Sequence, residues 1–446
     1  MSSPLWIAPR HGQDWIDQPC LNVIAWFRTM ISEQDWQARM SAVESFYERA
    51  LKKWADGEQV ALYAPADEVF WYLHQANAFA HDRRNYFVPQ GFRIAPMINR
   101  IGQLLPHLKQ VEGVHDRIET LLKKGRATPD AGLYEILVAG AYKIRNWPSV
   151  TFIPEQPGGS KTPDLVVTGN RRRWAVECKR INQSGYDKEE LACAEALAKP
   201  VHDLARRLGR RLVLDVQYHR EVKQYPPDTL VEYVKRYIDD PRESLILEKG
   251  NLIAHIRDAD WRMLDQVMAH DDLFYGSSRM VELIKGEYDL SCDHSFSAEW
   301  TPSEHMPLHA SRVHHASIVS WQSASVEAAT AKAKHFRTTV ARATQQLPLD
   351  FPGAVHVGYE AIGGSSVDGL RHLLNDMEMR SFKADGTRLR YVYANYLRPE
   401  LSNDRMEAWA VSETTAVYPI GKHRTPEPLP NHTVLEDGDG VPGSHW

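Results

Sequence analysis

The chain has 446 residues, of which 43% are hydrophobic, and a formal net charge of −5. This length is too great for one ordinary core, so two to three domains are expected, and the apolar content is sufficient to fill them. The negative net charge excludes a uniformly basic surface, so a nucleic acid could bind only through local basic patches.

The four cysteines, Cys20, Cys178, Cys193 and Cys292, have no paired spacing, so neither a disulfide framework nor a zinc finger is predicted. No stretch approaches about 20 apolar residues, and the first residues lack a basic segment followed by an apolar core. We therefore expect a cytoplasmic protein that does not engage a membrane.

Residues 1–128 are dominated by helical patterns. Helices are predicted at 33–54, with Ser32 as the N-cap, at 66–82, and at 92–124 with a break at Pro106. The tryptophans of this segment fit a core better than a base-stacking platform. We expect an all-helical domain of unknown role, for which recognition of substrate, of a protein partner or of a second copy of the chain are open alternatives.

The next predicted helix places an acid among apolar residues. Thr128 is a candidate N-cap with Pro129 at the first helical position, and apolar residues follow on nearly every face, so the helix is expected to be buried. Glu135 lies in its second turn, beyond the reach of the helix dipole. Because an unpaired buried carboxylate is costly, Glu135 is expected to have a partner.

Charged residues also lie on two short apolar strands that follow a strand at 149–153. Asp164 precedes the strand at 165–167, and Glu177 and Lys179 end the strand at 174–179. Strand alternation places Glu177 and Lys179 on the same face. Two carboxylates suit a hard cation such as magnesium, and a neighbouring amine can orient a metal-bound water or stabilise charge on a phosphate. The pattern predicts a hydrolytic site for a phosphodiester.

This arrangement resembles the PD-(D/E)XK, or restriction-endonuclease-like, nuclease superfamily over residues 129–217. The resemblance implies an α/β fold with a mixed central sheet flanked by helices. It implies that Asp164 and Glu177 hold a catalytic Mg²⁺, for which Mn²⁺ can substitute, that Glu135 assists in metal binding, and that Lys179 is the catalytic lysine. The implied reaction is attack of water on a nucleic acid, leaving a 5′-phosphate and a 3′-hydroxyl. A DNA endonuclease of defence, restriction or repair is expected in preference to an enzyme acting on RNA.

Basic residues near the predicted strands are candidates for binding the nucleic acid backbone. Lys161 lies in a glycine-containing loop that fails the nucleotide-binding pattern, because serine precedes the lysine and a strand follows. Arg171, Arg172 and Arg173 lie in the turn that leads to the strand at 174–179, where they could hold phosphates. A turn that is simply solvated is an equally open interpretation.

The alternation of helices and strands continues to about residue 417. A helix at 187–208 and a strand at 211–216 extend the core, and an insertion is expected at about 257–325. The distal strands at 354–417 either complete the sheet begun at 149 or form a small separate domain; we favour the first arrangement, which makes 129–422 one α/β region. Residues 423–446, rich in proline, glycine and acid, predict a flexible tail.

Two alternatives compete with the nuclease hypothesis. The chain could keep the nuclease fold without catalysis, as a scaffold that binds nucleic acid or proteins. Histidines in the middle of the chain also suggest a zinc module, although prolines bracket the stretch and only one cysteine is near. These residues are Cys292, His294, His305, His309, His314 and His315.

Overall fold

The chain folds into a helical N-terminal region and two mixed β-sheets with helices packed against them. The computed structural model describes residues 17–58, 60–81, 85–154, 162–170, 172–181, 185–240, 244–248, 251–287, 289, 292–304, 306–360, 364–384, 386–400, 410–430 and 434–435. No helix in these ranges is long and apolar enough to cross a membrane.

The helices and strands of the described residues are numbered here in chain order. The helices are α1 (Gln18–Arg28), α2 (Glu33–Ala55), α3 (Glu68–His81), α4 (Val88–Gln103), α5 (Leu105–Leu108), α6 (Val114–Lys123), α7 (Pro129–Ile144), α8 (Gly185–Arg207), α9 (Thr229–Asp239), α10 (Arg262–Met268), α11 (Ser278–Lys285), α12 (Val326–Thr344) and α13 (Gly364–Arg380). The strands are β1 (Ser149–Phe152), β2 (Leu165–Thr168), β3 (Arg173–Ile181), β4 (Leu212–Tyr218), β5 (Ser244–Glu248), β6 (Leu252–Asp258), β7 (Leu273–Phe274), β8 (Asp293–Pro302), β9 (His309–Ser323), β10 (Gly353–Glu360), β11 (Leu389–Glu400) and β12 (Ala410–Pro419).

The N-terminal helices follow the sequence prediction in outline. Helix α2 begins after Ser32, whose Oγ accepts a hydrogen bond from the backbone N–H of Asp35. The stretch predicted as one helix at 92–124 forms α4, α5 and α6 instead. Pro106 lies in the first turn of α5, where a proline costs no helical hydrogen bond, and Pro96 lies inside α4.

The N-terminal helices do not form a core of their own. Their buried side chains belong to one hydrophobic cluster with α7 and with residues of β1, β2, β3 and β11. Gly140 of α7 permits this packing, because a Cβ at that position would lie 2.7 Å from Cδ1 of Leu104. The boundary predicted at residue 128 therefore does not separate two cores, since α1–α6 bury their apolar faces against α7 and the sheet.

The first sheet has the strand order β1-β2-β3-β10-β11-β12. Strands β1, β2 and β3 are antiparallel, β10 runs parallel to both β3 and β11, and β12 is antiparallel to β11. Helix α7 packs on one face, with Val176 and Cys178 in its cluster, and α12 packs on the other, with Ala175 and Val355. The distal strands thus lie in the sheet begun at Ser149, the arrangement favoured from the sequence.

The second sheet corrects the predicted course of the chain after β3. It has the order β5-β6-β4-β9-β7, with β8 also paired to β9. The strand predicted at 211–216 as part of the first sheet is β4, whose apolar side chains pack against α8 and α9. The inserted sheet therefore begins near Leu212, well before the predicted insertion at about 257, because β10 occupies the place beside β3.

Part of the tail predicted to be flexible is packed against the first sheet. Leu429, Val434 and Leu435 are buried. The backbone N–H groups of Val434 and Leu435 donate to the carboxylate of Glu413, which is fully buried in β12. These hydrogen bonds from the backbone hold the residues in place, so the prediction of a flexible tail, which was based on composition, is wrong for this part.

Candidate active site

The β2-β3 hairpin brings Asp164 and Glu177 together. Leu165 pairs with Val176 in the antiparallel register, so Asp164 and Glu177 lie opposite each other at the next position. The backbone N–H of Asp164 donates to Oε2 of Glu177 at 3.3 Å, and the backbone N–H of Cys178 donates to Oδ2 of Asp164 at 2.7 Å. These bonds fix both carboxylates relative to the hairpin backbone.

Lys179 lies two residues beyond Glu177 on β3, and its Nζ forms an ion pair with Oε1 of Glu177. The Glu177 side chain is fully buried, whereas that of Lys179 is 30% exposed. The amine is therefore the more solvent-accessible member of the pair, and it contacts Glu177 from the same face of β3, as the two-residue strand period predicts.

Glu135 approaches this pair from α7. Thr128 stands at the N-cap of α7 without a side-chain cap bond, Pro129 is in the first turn, and Glu135 is buried as expected. Its partner is Arg117 of α6, with which it forms an ion pair. Glu135 also interacts electrostatically with Asp164 and Lys179. The four predicted residues thus belong to one electrostatic cluster, with Asp164 in the middle.

Arg117 was not predicted from the sequence. It lies in the N-terminal region, where no chemistry was found, and no motif marks it. Only the packing of α6 against α7 brings its guanidinium to Glu135. An expectation that a buried Glu135 needs a partner was the available signal, and it named no residue.

Burial and mutual repulsion raise the pKa values of the three carboxyl groups. Burial, followed by the charge of Asp164, raises the pKa of Glu135 and of Glu177 to about 8. Burial also raises the pKa of Asp164, against the lowering effects of the Cys178 N–H and of Lys179. Burial alone would lower the pKa of Lys179, but Glu177 raises it above the ordinary value, so the amine is a cation at neutral pH.

The donor set of Asp164 and Glu177 fits a hard divalent cation, because both groups offer carboxylate oxygens whose buried negative charge a cation would compensate. In the part of the chain that the structure describes, no group of three or more His, Cys, Asp or Glu side chains is placed to hold a metal ion. Glu135 is therefore not brought together with Asp164 and Glu177 as a ready third ligand. A cation here would take its remaining oxygens from water or substrate, as Mg²⁺ commonly does.

The raised pKa values predict how stability changes with pH when metal is removed. Because folding raises the pKa of Glu135 and Glu177 from 4.5 to about 8, the folded state binds protons more tightly, and this stabilisation is lost as pH rises through that interval. In a chelator, we expect the double variant Glu135→Gln/Glu177→Gln to lose less free energy of unfolding than the parent between pH 5 and pH 8.5. Denaturant titrations at several pH values measure the two slopes, and equal slopes would contradict the electrostatic account.

The Arg117–Glu135 ion pair makes a second prediction. Arg117→Met leaves the Glu135 carboxylate without its cation, and breaking a largely buried pair costs about 3–5 kcal/mol when the remaining group stays charged. We expect a loss of this order, reduced by protonation of Glu135, at pH 8 and a smaller loss at pH 6, measured by urea unfolding. Adding Glu135→Gln to Arg117→Met should recover most of the lost free energy of unfolding. Adding the control substitution Glu119→Gln, at an exposed position of α6, should not. If the loss of unfolding free energy in Arg117→Met were the same with and without Glu135→Gln, Arg117 would not be the partner of Glu135.

Of the four basic residues predicted to bind the nucleic acid backbone, the structure describes two. Lys161 and Arg171 lie outside the described residues. Arg172 and Arg173 are exposed, and the Arg173 guanidinium lies 4.6 Å from the centre of the Phe351 ring. Arg173 is four positions before Glu177 on β3, about 13 Å along the strand, so this turn is at the opposite end of the hairpin from the carboxylates.

The histidines that suggested a zinc module do not converge within the described residues. His294 lies on β8, and His309, His314 and His315 lie on β9; His305 is outside the described residues. His309 is the first residue of the extended strand β9. His314 pairs with the Thr301 hydroxyl, and Nε2 of His315 lies 2.9 Å from the carbonyl of Arg210.

The sequence matches no known protein-family model, no curated protein and no solved structure. The helices and strands themselves define a mixed α/β protein with an N-terminal helical region. The nuclease hypothesis depends on the residues of the hairpin and on their surroundings.

Proposed function

We propose that this protein is a metal-dependent phosphodiesterase that cleaves nucleic acid, with DNA as the expected substrate. The observation that carries the proposal is the pairing of Asp164 with Glu177 across the β2-β3 hairpin, with the cationic Lys179 at the solvent side of Glu177. Two opposed carboxylates, one fully buried and one partly buried, are costly for stability, and a catalytic role would explain why the fold retains them beside the partly exposed amine.

In this proposal Asp164 and Glu177 would hold a magnesium ion, which supplies Lewis-acid stabilisation of the phosphate and a more acidic water. The backbone N–H of Cys178 keeps the Asp164 carboxylate in place, and Glu177 orients the Lys179 amine. Because Lys179 is protonated at neutral pH, its role is to stabilise negative charge on the phosphate, in preference to removing a proton from water. Attack by water with departure of the 3′-oxygen gives a 5′-phosphate and a 3′-hydroxyl.

The scaffold alternative has one observation in its favour. Arg117 and Lys179 already pair with Glu135 and Glu177, so two of the three carboxylates have a compensating charge without a metal ion. A binding protein that had lost catalysis could persist in this form.

Incubation of the purified full chain with labelled single-stranded and double-stranded DNA and RNA separates the two hypotheses. The nuclease should produce fragments with 5′-phosphates in Mg²⁺ or Mn²⁺ and none in a chelator. Binding without cleavage of any substrate in either metal would favour the scaffold and overturn the proposal. The proposed role in defence, restriction or repair rests on analogy with the nuclease superfamily that the hairpin resembles.

A further inference from the structure

A cavity of about 370 Å³ lies between the N-terminal helices and the second sheet, lined by residues outside the hairpin site. Its aromatic lining comes from separate parts of the chain: Trp54 lies on α2, Phe87 directly precedes α4, Phe274 lies on β7, Tyr275 directly follows β7, and Phe296 lies on β8. The volume is within the range of small-molecule sites, about 300–1,000 Å³. Aromatic walls of this kind favour a flat ring as the occupant.

Ring contacts hold the aromatic walls in position. Tyr275 is stacked on Trp300 with centroids 4.8 Å apart and an interplanar angle of 22°, and Trp54 packs at a tilt against Trp300. Phe274 packs at 5.7 Å against Phe87. Because these contacts join α2 to β8 and the residue before α4 to β7, the walls are preformed and a ring would enter without repacking them.

The cavity also has a polar side formed by Glu195 of α8 and by His294 and Ser295 of β8. The Ser295 hydroxyl donates to Oε2 of Glu195 at 2.7 Å. Nε2 of His202 lies 3.1 Å from the same hydroxyl oxygen, and Nδ1 of His202 lies 2.7 Å from the Ser317 hydroxyl.

This network has one consistent arrangement of protons. Burial lowers the pKa of His202 to about 4, so its ring is neutral. Since the Ser295 proton goes to Glu195, His202 donates to Ser295 from Nε2 and accepts from Ser317 at Nδ1. Ser295 is therefore a fixed donor that orients the Glu195 carboxylate, and it is not activated as a nucleophile.

Oε1 of Glu195 accepts no hydrogen bond from any of the described residues, and Glu195 lines the cavity. A carboxylate oriented by one donor and placed beside aromatic rings is suited to a flat heterocycle that carries N–H donors at its edge. Amino groups of cytosine and the adjacent N–H groups of guanine provide such an edge. Glu195 is exposed, so its carboxylate is hydrated in the empty cavity, and a hydrocarbon ring would offer it no hydrogen bond in place of water.

We propose that this cavity binds an amino-bearing nucleobase, with Tyr275 and its aromatic neighbours against the ring and Glu195 accepting from the amino edge. The choice of a nucleobase among flat heterocycles rests on the proposed function. The more general inference of a flat ring with N–H donors rests on the aromatic and acidic lining alone. Helix α8 begins four residues after β3 ends, and about 15 Å of helix separate its start from Glu195. One chain segment therefore joins the candidate cleavage site to the base pocket.

The test is a fluorescence titration of the full chain with guanosine, cytidine, thymidine and a short single-stranded oligonucleotide. Trp54 and Trp300 provide the signal. We expect saturable binding of guanosine and cytidine, weaker binding of thymidine, and about a tenfold loss for guanosine in Glu195→Gln, the order expected for losing a charge-assisted hydrogen bond. Glu189→Gln, an exposed carboxylate on the same helix, is the matched control and should bind as the parent does.

A second variant, Phe296→Leu, removes a ring from the wall and should also weaken nucleoside binding if Glu195→Gln alters folding. Saturation by the oligonucleotide but by no nucleoside, or equal guanosine affinities in the parent and both variants, would overturn the proposal. Asp164→Asn should bind guanosine normally, which separates the two proposals. Cleavage without nucleoside binding would refute the pocket alone, and nucleoside binding without cleavage would refute the nuclease alone.

Discussion

Replacing Asp164 by asparagine is expected to reduce magnesium-dependent cleavage by about 10³-fold or more. Asparagine has nearly the same shape, and its carbonyl can still accept the hydrogen bond from the Cys178 N–H. It cannot supply the negative charge that the proposed divalent cation would require from the residue opposite Glu177. A metal ion contributes several kcal/mol to stabilisation of the transition state, and each 1.36 kcal/mol corresponds to a tenfold change in rate.

Single-turnover cleavage of a labelled DNA in Mg²⁺ measures this loss. Asp265→Asn is the matched control, because Asp265 is an exposed carboxylate on α10, away from the hairpin, and should cleave at the parental rate. Thermal melting of both variants checks that the fold is kept. An Asp164→Asn protein that cuts as fast as the parent would remove Asp164 from the proposed mechanism.

Glu177→Gln is expected to abolish cleavage and, in a chelator at pH 8, to raise the melting temperature. The carboxylate is fully buried, and its burial and the charge of Asp164 raise its pKa to about 8, so ionisation at high pH costs the folded state free energy. Neutral glutamine avoids this cost, and Lys179, which is partly exposed, can turn to water. For a chain of this size the increase is on the order of 1–3 °C.

Lys179→Met provides the contrast, because it removes the cation that lowers the pKa of Glu177. It should also lose cleavage, but its metal-free melting temperature should fall. Opposite changes in stability with a common loss of activity are the signature of a site that sacrifices stability for catalysis. A lower melting temperature for Glu177→Gln at pH 8, or retained cleavage in either variant, would contradict this account.

The hairpin could be predicted from the sequence because its signals are local. The turn near Gly169, the alternating charges of β3 and the proline before Asp164 all lie within 17 residues, from 163 to 179. The strand pairing then follows from the register. The burial of the helix that carries Glu135 could be predicted equally well, since its apolar residues span every face.

The partner strand on the other side of β3 could not be predicted with the same certainty. Strand β10 pairs with β3, with Val355 opposite Glu177, although all the strands of the second sheet lie between β3 and β10 along the chain. Strand β4 has the same apolar character as a first-sheet strand, and only its pairing with β6 and β9 assigns it elsewhere. Such choices depend on long-range packing that short apolar runs do not encode.

Arg117 and the tail illustrate the same limit at the level of single contacts. Arg117 is one of many arginines in the sequence, and the packing of two helices gives it a role beside Glu135. The residues of the tail have a composition typical of disorder, yet Glu413 binds the backbone at Val434 and Leu435. Composition describes the average behaviour of a segment and does not report a specific buried acceptor.

Calorimetric titration of Mn²⁺ into the full chain at pH 8 tests the central claim most directly. The account predicts one saturable site in the parent, loss of that site in Asp164→Asn and Glu177→Gln, and retention of it in the exposed control Asp265→Asn. Absence of Mn²⁺ binding by the parent, or identical binding by all of these proteins, would show that the carboxylates of the hairpin do not form a metal site.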